Sequence, residues 1–500
     1  MKYMKKRLLF STILVAATAM SMQATDYYVS PTGSGSSYTL ETPGKLTSTV
    51  IGKLKAGDNL YLRGGQYDLT STLSFGSGRS GTESNYVTVV AYNGEKPVLD
   101  YRGQAYGKNN CGIKLSGCSY VHLVGITVRY TGGKGILCDG GNYNILENLD
   151  VYGCAESGIQ MKSASYNMIL NCDSHDNFDY ENGGSSSPDY GGNADGFADK
   201  QYTGAGNIYI GCRSWGNSDD GWDSFQRVTN GTPTVYINCI AYANGPATFD
   251  MSNHPRYEKD KEWFDGCGET LSAYTNYGNP NGFKLGGDGT KHNTELYRCL
   301  AVGHRSKGFD QNNNAGTMKV INCTAYKNKY NYGFGNKYAY TLYVYNNVAL
   351  AYTSGGKDWQ RYDGATVKQG NNTWNTGFSC TEADFEGLDV TEIIFAERNA
   401  DGTLPETQQF HLKASATNLI DKGKDFTDFS GQFIGDYVAY NGTAPDLGCY
   451  EYEGSSGIGM LTLDEGTPNP NLPRYNLSGQ RVDDSYRGIV IQGGRKYFQK

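Results

Sequence analysis

Eight six-residue segments align without gaps and constrain this chain more than any other feature: LVGITV from 123, LENLDV from 146, ILNCDS from 169, YIGCRS from 209, YINCIA from 236, LYRCLA from 296, VINCTA from 320 and VYNNVA from 344. Their starts are separated by 23, 23, 40, 27, 60, 24 and 24 residues. A second marker, glycine followed by a large apolar residue, recurs at Gly135-Ile136, Gly158-Ile159, Gly196-Phe197, Gly221-Trp222, Gly282-Phe283, Gly308-Phe309 and Gly333-Phe334. Short β-like runs at a period near 23, punctuated by glycine, predict a parallel β-helix in which each coil stacks on the last about 4.8 Å away. The leucine and asparagine consensus of leucine-rich repeats, which share this period, is missing. The composition agrees: 67 Gly, 41 Tyr and only 19% charged residues favour tight turns and pleated strands over long helices.

Equivalent positions of such a stack form columns. Cys172, Cys212, Cys239, Cys299 and Cys323 share one column, followed two residues later by Ser174, Ser214, Ala241, Ala301 and Ala325. They are expected to be small inward fillers, packed as free thiols. Asn148, Asn171, Asn238, Asn322 and Asn346 form another column, expected to be an amide ladder. In two coils the marker is delayed, which implies insertions of about 15 and about 34 residues, and solenoid insertions often carry function. Tyr257 and Trp263 in the second insertion are candidates for stacking on sugar rings.

The chemistry concentrates just after these insertions. Counting from each marker glycine, the preceding column contains Asp195 and Asp220, and the column two residues on contains Asp223, Lys284 and Asp310, with Gly335 closing it. Asp195 should therefore lie one rung from Asp220, Asp223 one rung from Lys284, and Asp219 beside them. Four carboxylates this close repel unless a cation intervenes. They offer the hard oxygen ligands that Ca²⁺ takes, whereas a zinc site would want His or Cys. Lys284 can act as a base only if it gives up its proton at working pH; the acids beside it oppose that and a bound cation favours it.

At these residues the chain resembles the family 9 polysaccharide lyases. NADGFADK (193–200), SDDGWD (218–223) and NGFKLGG (281–287) are similar to the family's metal and base motifs, in the same order. The resemblance spans roughly 26–453, from DYYVSPTGSG and AGDNLYLRGGQY at one end to FHLKASATNLIDKGKDF and APDLGCYEY at the other. It implies a right-handed parallel β-helix, Asp195, Asp219, Asp220 and Asp223 as calcium ligands, and Lys284 as the Brønsted base. It further implies β-elimination on a galacturonate-containing pectic backbone, homogalacturonan or rhamnogalacturonan I. Lys200, Arg227, Arg305 and Lys307 are candidate substrate ligands. Two other readings stay open: a β-helix hydrolase of the polygalacturonase type, and a glycan-binding β-helix without catalysis.

The ends of the chain read differently. Residues 1–24 combine Lys2, Lys5, Lys6 and Arg7 with a short apolar run and small residues up to Ala24, the layout of a secretory leader. An exported protein is expected, with residues 25–453 as the β-helix and 454–500 as a linker and sorting-like tail. A formal charge of −7 argues against a nucleic-acid partner. No later segment is apolar enough to span a membrane, and a monomer is expected.

Overall fold

The computed structural model describes residues 24–454, apart from 108, 181–189, 250–252, 267–273, 276–277 and 427–437, together with short strands between 474 and 499. The expected leader and the linker after 454 lie outside the described residues. The chain winds as a parallel β-helix. One face is a 12-stranded parallel sheet, and an 18-stranded set forms two further ladders of parallel strands. Leu123, Leu146, Ile169, Tyr209, Tyr236, Leu296, Val320 and Val344 pair in an unbroken register, so the segments read from the sequence are successive rungs of the first sheet. Three earlier rungs, Asp26–Val29, Asn59–Leu62 and Val87–Ala91, extend this sheet towards the N terminus without the repeat's spacing.

Four short strands carry the delayed and polar markers: β1 (Phe197–Asp199), β2 (Trp222–Asp223), β3 (Phe283–Lys284) and β4 (Lys307–Asp310). Their aromatic residues point inward and stack, Phe197 on Trp222 at 4.8 Å, Trp222 on Phe283 at 4.6 Å, and Phe283 on Phe309 at 5.2 Å between ring centroids. Each stacked pair adds about 0.5–1.5 kcal/mol beyond the apolar area it buries. The marker glycines permit this closeness. A Cβ on Gly221 would sit 2.6 Å from the Gly282 carbonyl oxygen, which backbone packing does not allow.

The cysteine column is buried and its thiols are free. The asparagine column is not the ladder expected. Asn148, Asn171, Asn238, Asn322 and Asn346 adopt φ between 50° and 58°, as do Arg298 at 52° and, slightly beyond, Gly211 at 60° in the same column. These residues bend the chain from one face to the next, a left-handed conformation that Asn and Gly tolerate best. Only Asn346, donating to Asn322 at 3.1 Å, bonds along the column among the described residues. The true amide ladders lie elsewhere: Asn167 donates to Asn207 at 3.1 Å, Asn177 to Asn217 at 2.7 Å and Asn217 to Asn244 at 2.8 Å.

The last marker also needs correction. Asp310 pairs with Gly333 and Phe309 with Tyr332, so Gly335 lies outside the column assigned to it. Side-chain direction repeats every two residues in a strand, so a slip of two lets Tyr332 replace Phe334 in the aromatic stack.

Residues beyond 380 return over the outer face of the third ladder. Phe385, Ile393, Ile394, Phe410 and Leu412 pack on Ile240, Leu300, Val302, Tyr326 and Leu350. Asp173 fastens this cover through paired contacts to Arg213 and Arg398. Strands between 474 and 499 form a separate four-stranded antiparallel sheet. The helix α1 (Tyr257–Gly266) lies in the second insertion.

Candidate active site

Register brings the predicted acids and amine together. Ala198 of β1 pairs with Asp223 of β2, and Asp223 with Lys284 of β3. Asp195 and Asp220 precede the equivalent glycines. Carboxylate oxygens of Asp195, Asp220 and Asp223 all lie within 4.8 Å of one another. Asp219 stands outside that trio, its Oδ1 accepting the Asn279 N–H at 2.5 Å.

Two amines interleave with these acids. Lys284 Nζ lies 2.9 Å from Asp220 Oδ2 and 3.3 Å from Asp223 Oδ1. Lys200 Nζ lies 2.6 Å from Asp195 Oδ2 and 3.1 Å from Asp223 Oδ2. Lys200 thus belongs to the cluster itself, whereas sequence columns placed it only among substrate ligands. It sits five residues after Asp195, off the marker columns, and the strand must be built before the two are seen to meet. Ser157, Asn279 and Asn281 were also missed: Ser157 Oγ donates to Asp195 Oδ2 at 3.1 Å, and Asn281 donates twice to Asp220 Oδ1, at 2.9 Å from N and 2.8 Å from Nδ2.

The electrostatics follow from burial and spacing. Burial pushes the Asp195, Asp219 and Asp220 carboxyls up, and like charges add to it, although Lys200 opposes the rise at Asp195 and Lys284 opposes it at the other two. Asp223 moves the other way. Burial opposes its charge, but Lys284 and Lys200 together hold it below the usual carboxylate range. Burial likewise works against the charge on Lys284, and Asp220 and Asp223 overcome it, holding the amine well above its ordinary range.

Four carboxylates against two amines leave a formal charge of −2, which one divalent cation would neutralise. The donors fit calcium. Two oxygens bound to one Ca²⁺ at about 2.3–2.6 Å can be separated by up to about 5 Å, which covers the spread of the trio. Asp220 Oδ2 is buried and faces Lys284 Nζ at 2.9 Å, while Oδ1 of the same carboxylate is held by Asn281. No His or Cys joins the trio among the described residues.

The remaining candidates are dispersed. Arg227 is 3% exposed and pairs with Asp199 at 2.5 Å, donating also to Gly204 O at 2.9 Å, away from the carboxylate trio. Arg305 is exposed and donates to Gly245 O at 2.5 Å. Lys307 of β4 pairs with Asp310 at 2.7 Å, on the rung after Lys284. Tyr257 is half-buried in α1, and the side chain of Trp263 lies outside the described residues.

A right-handed parallel β-helix with acids and amines gathered on adjacent coils defines an enzyme of the β-helix carbohydrate-active class. Residues 27–347 match the family described as "Pel9A-like, right handed beta helix region". Pectate lyase L of Dickeya chrysanthemi is 34% identical over 436 residues, covering 85% of this chain and 90% of that protein. The crystal structure of pectate lyase Pel9A superposes with a TM-score of 0.69 at 31% identity, over 86% of this chain and 98% of the other. A structure titled rhamnogalacturonan lyase shares the fold, with a TM-score of 0.63 at 24% identity over 79% of this chain and 97% of its own. The chain belongs to the Pel9A-like right-handed β-helix family of polysaccharide lyases. Among the described residues no helix is long and apolar enough to cross a membrane.

Proposed function

We propose that this lyase cleaves galacturonate-containing pectic backbones by calcium-dependent β-elimination, with Lys284 as the base. The convergence of Lys284 with Asp195, Asp220 and Asp223 on consecutive rungs carries the reading. The similarity to pectate lyases supports the choice of substrate. Asp195, Asp220 and Asp223, with Asp219 beside them, would hold the ion. Bound calcium would supply a partner for the substrate carboxylate and would neutralise the acids that keep Lys284 protonated.

The C5 proton of galacturonate is α to a carboxylate, so its removal builds negative charge there that must be stabilised. Lys284 would take that proton. The C4–O4 bond then breaks, the electron pair of the C5–H bond becomes the C4=C5 double bond, and the leaving sugar oxygen acquires a proton. Water is not consumed. Lys200 balances charge between Asp195 and Asp223, and Lys307 and Arg305 would meet further uronate carboxylates along the chain. The leader layout of residues 1–24 supports export to where such polymers are met.

Incubation with polygalacturonate or rhamnogalacturonan I, with calcium or with chelator, tests the reading. New ultraviolet absorbance from the unsaturated product, abolished by chelator, is expected. Saturated products formed in chelator would instead favour a hydrolase, and no cleavage of either polymer a glycan-binding role.

A further inference from the structure

The second insertion leaves the coil at Tyr242 yet is fastened far back along the helix axis. Arg256, ten residues before the end of α1, is 0% exposed. Its Nη1 donates to the carbonyls of Tyr101 at 3.1 Å and Tyr130 at 3.0 Å, and its Nη2 to that of Gln104 at 2.8 Å. Its Nε donates to Asp260 Oδ2 at 2.9 Å and to Tyr180 Oη at 3.1 Å, while Tyr180 Oη donates to the same carboxylate at 2.6 Å. One guanidinium therefore joins α1, the first insertion at Tyr180 and two N-terminal coils. Its five donors point in a fixed fork, and a lysine ammonium in its place could not reach this set of acceptors.

Register gives the distance. Arg129, Tyr152, His175, Trp215 and Tyr242 stack rung upon rung, so the Tyr130 carbonyl lies four rungs from the coil where the insertion departs. At about 4.8 Å per rung the insertion reaches back about 19 Å. It runs over the turns at 101–104 and at Tyr130, N-terminal to the site-bearing strands. Tyr180 follows Asp179, which accepts from Ser218 Oγ at 3.3 Å, and Ser218 precedes the Asp219–Asp220 pair. The cluster of acids and amines spans only three coils, so a polymer lying across it must continue over neighbouring coils, and on the N-terminal side those coils are tied to α1 through Arg256 and Asp260.

We infer that Arg256 is a positioning residue that fixes α1 as one wall of the substrate groove, holding the sugar units on the N-terminal side of the carboxylate cluster. The inference rests on the pectic lyase reading. Losing a contact to a remote sugar that is made equally in ground and transition states raises KM and leaves kcat alone.

Arg256→Lys removes the fork, and Asp260→Asn is a milder variant that leaves the three carbonyl contacts in place. Each is compared with wild type on polygalacturonate and on size-defined oligogalacturonates. For Arg256→Lys, a KM on polymer raised at least about fivefold with kcat within about twofold is expected. Asp260→Asn should shift KM in the same direction by less, the shortest cleavable oligomer should be least affected, calcium affinity should be unchanged, and trypsin should cut faster after Lys259 and Lys261. An unchanged KM in both variants overturns the inference, as does an equal loss on polymer and shortest oligomer. Retardation in polygalacturonate gels reads affinity without turnover, so a wild-type protein that binds but does not eliminate sinks the lyase reading while the role of Arg256 is still decided.

Discussion

Lys284 Nζ lies 2.9 Å from Asp220 Oδ2, and the two residues come from adjacent rungs, β3 and the turn before β2. Under the proposed mechanism the base and a metal ligand thus hold one another until a cation takes the carboxylate. This arrangement makes Lys284→Arg the informative substitution. Arginine keeps the charge beside Asp220 and Asp223 but does not release its proton at working pH. A loss in kcat of about 10²–10⁴-fold is expected, with melting temperature close to wild type. Retained activity in the arginine variant would remove Lys284 from the role of base.

Asp220 supplies a prediction with two signs. Its carboxyl is pushed up by burial and neighbouring acids, so its charge is unfavourable in the metal-free fold. Asp220→Asn should leave the metal-free melting temperature equal or slightly higher. The gain in melting temperature on adding calcium should shrink, and calorimetric affinity should fall about tenfold or more. A variant that melts far lower without metal, yet gains as much from calcium as wild type, would reverse both expectations.

The rungs and the acid–amine pairing were legible because both depend on strict periodicity. Leu123 to Val344 keep one register across two long insertions, and Asp223 meets Lys284 for that reason. Period alone does not report what a column does. Asn148 and Asn171 repeat because the chain bends there, not because their amides stack. Lys200 was hidden for the opposite reason: its partners are set by three-dimensional proximity across β1 and β2, with no recurring position to mark it. Arg227, a candidate substrate ligand in the sequence, instead meets Asp199 out of contact with solvent, a pairing that no single strand's pattern announces.

The pH dependence of stability has a separate source in His175, stacked between Tyr152 at 4.8 Å and Trp215 at 4.0 Å. Burial works against its charge, but hydrogen bonds to Asp150 and Asp176 prevail and push it up to about 9. A raised folded-state value means that the charged ring stabilises the fold fully below the unfolded value of about 6.5, and that this contribution is lost as pH rises through about 9. Solvent at the partly exposed carboxylates limits the effect to on the order of 1–2 kcal/mol. His175→Gln should melt below wild type at pH 6, and the gap should close by pH 10. A gap that is constant over this range would assign the stabilisation to ring packing alone.

Trp222 separates the core's demands from those of the site. It is buried between Phe197 and Phe283, and its indole Nε1 has no hydrogen-bond partner among the described residues. Trp222→Phe therefore gives up no hydrogen bond and keeps a ring in the stack, so a loss of about 1–2 kcal/mol and near-normal calcium binding are expected. Trp222→Ala instead opens a cavity between two coils, at a cost of about 3–5 kcal/mol. The neighbouring Asp223 would then lose the strand that aims it at Lys284 and Lys200, and calcium affinity should fall along with stability. Denaturant unfolding and calcium titration on the same two variants measure both quantities. An alanine variant that loses stability but binds calcium normally would mean that the acids are held by their own hydrogen bonds and ion pairs, without help from the aromatic stack beneath them.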